Sequence, residues 1–98
     1  MVDIILSKRA LIELDKIYDR YEKSQLGLGD KFLNKLYKKY KQIGSFPKTG
    51  NVKKRTYRET YLEVFPYAVI YRYSFKENEI FITSIFHFKR NIVKKYLN

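Results

Sequence analysis

The chain has no cysteine, no tryptophan, two prolines, four glycines and a single histidine among 98 residues. The missing thiols exclude a disulfide framework, a thiolate zinc site and a cysteine nucleophile, and they fit a reducing cytosol. His87 being alone, no histidine-based metal cluster can form. A Ser-His-Asp triad would have to use His87, and no glycine-flanked serine elbow is present. The phosphate loop and the dinucleotide fingerprint are missing too: LGLGD lacks the remaining glycine and follows a helical pattern rather than a strand. Long apolar runs are also lacking. MVDIILSKRA is interrupted by Asp3 and Lys8, which leaves too little for a signal peptide or a membrane span. Acidic residues are few, 10 against 21 Lys and Arg. They are mostly scattered over helical segments, and the pair Glu77 and Glu79 sits in a turn. A metal-dependent nuclease needs carboxylates gathered on strand ends. No metal and no cofactor is expected.

What is present is positive charge and tyrosine. The formal net charge is +11, a field that favours anionic partners such as nucleic acid, anionic lipid or an acidic protein. The plainer reading is a soluble basic surface. Tyrosine, with 10 copies, suits both a small core and a stacking surface. The length predicts one domain over residues 1–98, large enough to bury roughly two-thirds of its unfolded surface.

Along the chain, Val2 to Leu6 reads as a first strand, and Ser7 as an N-cap. Ala10, Leu11, Leu14, Ile17, Tyr18 and Tyr21 recur at three- and four-residue spacing, the apolar stripe of an amphipathic helix. SQLGLG breaks it, with Gly27 suited to the left-handed conformation and Asp30 to the start of a second helix. That helix carries Phe32, Leu33, Leu36, Tyr37, Tyr40 and Ile43 inward and a coat of lysines outward. The short connection implies an antiparallel helical hairpin. After a loop around Pro47 comes VKKRTYRET, which gathers Lys53, Lys54, Arg55 and Arg58 around Tyr57. A strand is expected from about Thr56 to Phe65, ended by Pro66. Two more follow, Tyr67 to Phe75 and Ile80 to Phe88, joined by a turn at Lys76, Glu77 and Asn78. On the first of them Tyr67, Val69, Tyr71 and Tyr73 share one face, and Ala68, Ile70 and Arg72 the other. Val69, Ile70, Ile80, Ile82 and Ile85 are the expected core. Asn91 to Asn98 is a short basic tail. The order β-α-α-β-β-β predicts an α+β fold, an antiparallel sheet with the helical hairpin packed on one face.

The chemistry left open is cationic. Lys53, Lys54, Arg55 and Arg58 begin one strand, Arg72 lies within the next, and His87, Lys89 and Arg90 end the last. Converging on one concave face, such groups can hold a phosphate and stabilise a pentacovalent transition state without metal. His87 would serve as general acid or base, and the set would cleave RNA by 2′-hydroxyl attack. The alternative is that the same cations simply bind phosphates or an acidic protein segment, with His87 a packed, hydrogen-bonded strand residue.

GLGDKFL at the entry to the second helix, the FPYAVIYRY strand and the FHFKRN end, in this order of elements, resemble the RelE/ParE toxins of bacterial type II toxin–antitoxin modules. The likeness spans nearly the whole chain. FPYAVIYR followed by an apolar strand and an H-x-[KR]-R end is similar to the ParE-like branch. The resemblance implies a compact cytoplasmic toxin of a plasmid-stabilisation system, held inactive in a toxin–antitoxin hetero-oligomer by a cognate acidic antitoxin. An amphipathic hairpin on a basic chain offers a groove to such a partner helix. Two targets are implied: RelE-like members cut mRNA on the ribosome, and ParE-like members inhibit DNA gyrase. RelE-type enzymes place an arginine early in the strand that here runs from Tyr67, in a pattern close to Y-R-L-V-Y. This chain has Pro66-Tyr67-Ala68 there, and a tyrosine cannot supply the guanidinium. Phe88 after His87 lacks the hydroxyl of a His-Tyr ending. The departures favour gyrase inhibition. The alternative is a metal-independent, ribosome-dependent endoribonuclease with His87, Arg90 and Arg72 as catalytic residues, and Lys53, Lys54, Arg55, Arg58 and Lys89 holding target or phosphate.

Overall fold

A computed structural model describes residues 2–54 and 56–88, all but the Lys54 side chain. The elements are β1 (Asp3–Leu6), α1 (Lys8–Ser24), α2 (Leu28–Ser45), β2 (Asn51–Lys54), β3 (Tyr57–Tyr61), β4 (Tyr67–Ser74) and β5 (Glu79–His87). The strands form one sheet in the order β1-β5-β4-β3-β2. The expected α+β architecture is observed, with two refinements. β1 lies parallel to β5 at one edge of the sheet, while the two helices that follow it lead to β2 at the other. Asn51–Lys54, which precedes the strand expected from about Thr56, is an edge strand antiparallel to β3. Its lysines are depleted in strands generally, but on an edge they discourage further pairing.

β3 is shorter than its alternating pattern implies. It stops at Tyr61, and the chain bends through 62–66 with Val64 at φ 74°. Within this bend Leu62 N–H reaches the Tyr67 carbonyl at 3.0 Å and Phe65 N–H the Glu63 carbonyl at 2.8 Å.

Each of the two helices begins with a specific device. Ser7 Oγ caps α1 by accepting from Ala10 N–H at 3.0 Å. α2 starts at Gly27 with φ 88°, a conformation that costs glycine little. Glu22, still on α1, accepts from Gly27 N–H at 3.2 Å and Gly29 N–H at 2.8 Å, satisfying donors that a helix start leaves open. Gly29 is buried where the helices touch: a Cβ there would lie 2.7 Å from Glu22 and 2.9 Å from the Tyr18 ring. Asp30, in the first turn, accepts from Tyr18 OH at 2.9 Å and faces the positive helix end.

The hairpin packs on one face of the sheet. Ala10 and Ile17 of α1 and Phe32, Leu36 and Ile43 of α2 meet Val69, Tyr71, Ile80, Ile82 and Ile85. Burial of each such large side chain stabilises the fold by about 1.5–3 kcal/mol. At one end four rings close the core: Tyr21, Phe32, Phe65 and Tyr67, with centroids 5.1–6.4 Å apart, mostly edge to face. Ala68, Ile70 and Phe86 form a second buried cluster on the opposite face, with Tyr57 against it. That opposite face, free of α1 and α2, is the open face below. The alternation read from FPYAVIYRY is therefore the observed one.

β5 carries a bulge opposite Ile70 and Tyr71, and α1 is tied to it. Ser7 Oγ donates to the Thr83 carbonyl at 2.9 Å. The Glu13 carboxylate accepts from Ile85 N–H at 3.0 Å and from Ser84 Oγ at 3.0 Å, and it pairs with Arg9 at 3.3 Å. The irregular ladder thus leaves none of these groups without a partner.

Candidate functional site

The sheet register determines which candidate residues meet. Tyr67 stands opposite His87, and their rings lie 5.1 Å apart. Cross-strand partners share a face. Tyr67 belongs to the core beneath the helices, so His87 lies at that end, on the helix side of the sheet. Arg72 stands opposite Phe81 and is exposed on the open face. It lies five residues from Tyr67 along β4, roughly 16 Å at about 3.3 Å per residue. Arg72 and His87 therefore occupy opposite faces and distant ends of the β4–β5 ladder. Arg90 and Lys89, the remaining members of the sequence-derived set at this end, fall outside the described residues, as does Arg55.

In the basic β2–β3 region Lys53 and Arg58 are the cations whose side chains are described. Lys53 is exposed. Arg58 points to the helix side, where its guanidinium donates to the Gly50 carbonyl at 2.9 Å and the Lys48 carbonyl at 3.1 Å. Tyr71 OH completes that arrangement by donating to the Pro47 carbonyl at 2.9 Å and accepting from Gly50 N–H at 3.0 Å. Burial pushes the Tyr71 phenol pKa up, partly offset by the Gly50 N–H and by Arg58. Arg58 thus has a structural task, holding the loop between α2 and β2.

The centre of the open face holds a residue that the sequence reading passed over. Glu59 stands opposite Ile70 and is 1% exposed. Its carboxylate accepts from Tyr61 OH at 3.1 Å. Burial, and then this neighbouring carboxylate, push the Tyr61 pKa up. Around them lie Ala68, Ile70 and Phe86, and Tyr61 meets Phe88 edge to face at 5.7 Å. The signal was in the sequence: alternation from Tyr57 puts Glu59 and Tyr61 on Tyr57's face. Flanked by Arg58 and Thr60, Glu59 carries no motif that marks it as buried.

Arg72 is held differently from Arg58. Its guanidinium lies over the Tyr57 ring at 5.3 Å and the Phe81 ring at 5.8 Å. Among the described residues it makes no hydrogen bond and no ion pair. The two rings hold it by cation–π attraction, and its N–H donors are left for a ligand.

Three comparisons bear on this arrangement. A family model described as the ParE toxin of the type II toxin–antitoxin system, parDE, matches residues 4–92. The chromosomal ParDE toxin–antitoxin system of P. aeruginosa contains a chain of similar structure, with TM-score 0.74 and 22% identity over 89% of this chain and 96% of that one. The intact E. coli RelBE toxin–antitoxin complex contains another, with TM-score 0.68 and 18% identity over 87% of this chain and 94% of that one. No curated protein sequence matches. At these identities the two structures show a shared fold, while the family model spans nearly the whole chain. The chain belongs to the ParE toxin family of type II toxin–antitoxin systems.

Proposed function

We propose that this ParE-family toxin inhibits DNA gyrase and is neutralised by a cognate acidic antitoxin. The observation that carries the reading is the split between Arg72 and His87. A metal-free ribonuclease site needs cations and a proton-transfer group around one phosphate. Here the guanidinium and the imidazole lie on opposite faces of the sheet. The centre of the open face adds to this. Its described residues are a buried carboxylate, Glu59, and the apolar Ala68, Ile70 and Phe86. The apolar side chains there offer a phosphate no hydrogen-bond donor. The reading calls for no metal and no cofactor, and it places the action in the cytoplasm, where gyrase is found. Lys53, Lys54, Arg55, Arg58 and Lys89 remain candidates for contact with an anionic surface of target or antitoxin.

The structural likeness to the RelBE chain supports one second reading, ribosome-dependent mRNA cleavage using His87, Arg90 and Arg72. Toeprinting on translating ribosomes separates the two. Gyrase inhibition predicts no new mRNA 5′ ends with saturating toxin. New ends that vanish in a His87→Ala, Arg90→Ala variant would instead establish the ribonuclease.

A further inference from the structure

An open pocket of about 430 Å³ lies on the sheet beside Arg72. Thr56, Arg72, Ser74, Glu77, Glu79 and Phe81 are among the residues that line it. Two features of it point to the same ligand chemistry. The exposed guanidinium lies 5.3 Å from the Tyr57 ring centroid and 5.8 Å from that of Phe81, so a planar ring entering the pocket can stack on it. The carboxylates that line it are acceptors. Glu79 stands opposite Ser74 in the ladder, and its carboxylate makes no hydrogen bond or ion pair among the described residues. Glu77 turns toward the same corner, with Ser74 Oγ accepting from its backbone N–H at 3.2 Å.

The geometry points to a guanine-binding site. A flat ring stacked on Arg72 would turn one edge toward Glu79. Among the common bases guanine alone presents two adjacent donors, N1–H and N2–H₂, to a single carboxylate. Adenine and cytosine each present one amino group flanked by a ring acceptor, which a carboxylate repels. In a chain of net charge +11, two carboxylates beside a stacked arginine form a local exception that selects a base, while the general field attracts its phosphate. The shared chemistry is the guanine ring, and its source is either a free nucleotide or an unpaired base in a single strand. The inference is independent of the gyrase reading and is tested by binding alone.

The experiment titrates the full chain with GMP, AMP, CMP, UMP and inorganic phosphate, following backbone amide shifts at Arg72, Glu79 and Phe81. A second arm compares a short all-adenine oligonucleotide with one carrying a single central guanine. GMP should bind roughly tenfold tighter than AMP, the discrimination typical of one bidentate base contact. Glu79→Gln should weaken GMP and, with the repulsion of adenine's ring acceptor gone, strengthen AMP, so that the preference disappears, and Arg72→Ala should weaken every base. Both side chains project from the sheet surface, and unchanged near-ultraviolet tyrosine dichroism verifies that each variant is folded. GMP binding as tightly as the guanine oligonucleotide identifies the free nucleotide as ligand, and tighter oligonucleotide binding identifies the single strand. Equal affinity for all four bases, inorganic phosphate matching GMP, or binding indifferent to Arg72→Ala each overturns the site.

Discussion

Tyr71 is the side chain on which the connection from α2 to β2 rests. It is fully buried, and its hydroxyl both donates to Pro47 and accepts from Gly50. Tyr71→Phe keeps the ring and leaves those two backbone groups without their partner. The expected cost is about 1–3 kcal/mol in urea unfolding with an unchanged m-value. Tyr40 is the opposite case. Its hydroxyl is buried without a hydrogen-bond partner among the described residues, so Tyr40→Phe should leave stability unchanged or raise it by about 1 kcal/mol. Burial, then Tyr37, hold its folded pKa well above the ordinary tyrosine value of 10.0. The unfolded chain therefore gives up this proton first. The stabilisation linked to Tyr40 is complete below about pH 10 and is lost as pH rises above it. Urea titrations between about pH 9 and pH 11 should show a steeper decline in the parent than in Tyr40→Phe; parallel declines would contradict the assignment. Neither role was legible in the sequence. Tyr71 and Tyr40 looked like two more inward positions of periodic patterns, and what distinguishes them is the presence or absence of a partner across the fold.

The elements were more legible than the contacts between them. Ser7, the GLGD loop and FPYAVIYRY each carry a local instruction, and each is observed to act as read. Gly27 takes the left-handed conformation, Asp30 sits in the first turn of α2, and residues 67–73 alternate between core and open face. β2 was hidden by its lysines, and β3 was overextended because alternation continues past Tyr61 after the ladder has stopped. The β5 bulge, and the use of Glu13 to satisfy it, could not be read either, since the two lie 72 positions apart in the chain. That contact gives an element-scale prediction. Glu13→Ala leaves Ile85 N–H and Ser84 Oγ without acceptors. It should cost about 1–3 kcal/mol and speed hydrogen exchange at Ile85 above that of the neighbouring strand amides. Protection at Ile85 equal to that of the parent would show that the latch is not formed.

At the scale of the whole molecule, sequence gave charge and family resemblance clearly, but not which cations share a surface. A run such as Lys53 to Arg58 that looks like one patch in sequence spans two strands, Lys53 on β2 and Arg58 on β3. Arg58 turns to the loop between α2 and β2 while Arg72 lies on the open face. The net charge of +11 has its own consequence for assembly. Association with an acidic antitoxin should be electrostatically steered. Stopped-flow measurements between about 50 mM and 500 mM salt should therefore show the association rate falling at least about tenfold while dissociation changes little. A salt-independent association rate would count against an acidic partner. The most direct test of the account is gyrase supercoiling with the purified toxin. Saturating toxin should block supercoiling of relaxed plasmid, and stoichiometric cognate antitoxin should restore it. Full supercoiling at saturating toxin, in a preparation that still arrests growth in cells, would contradict it.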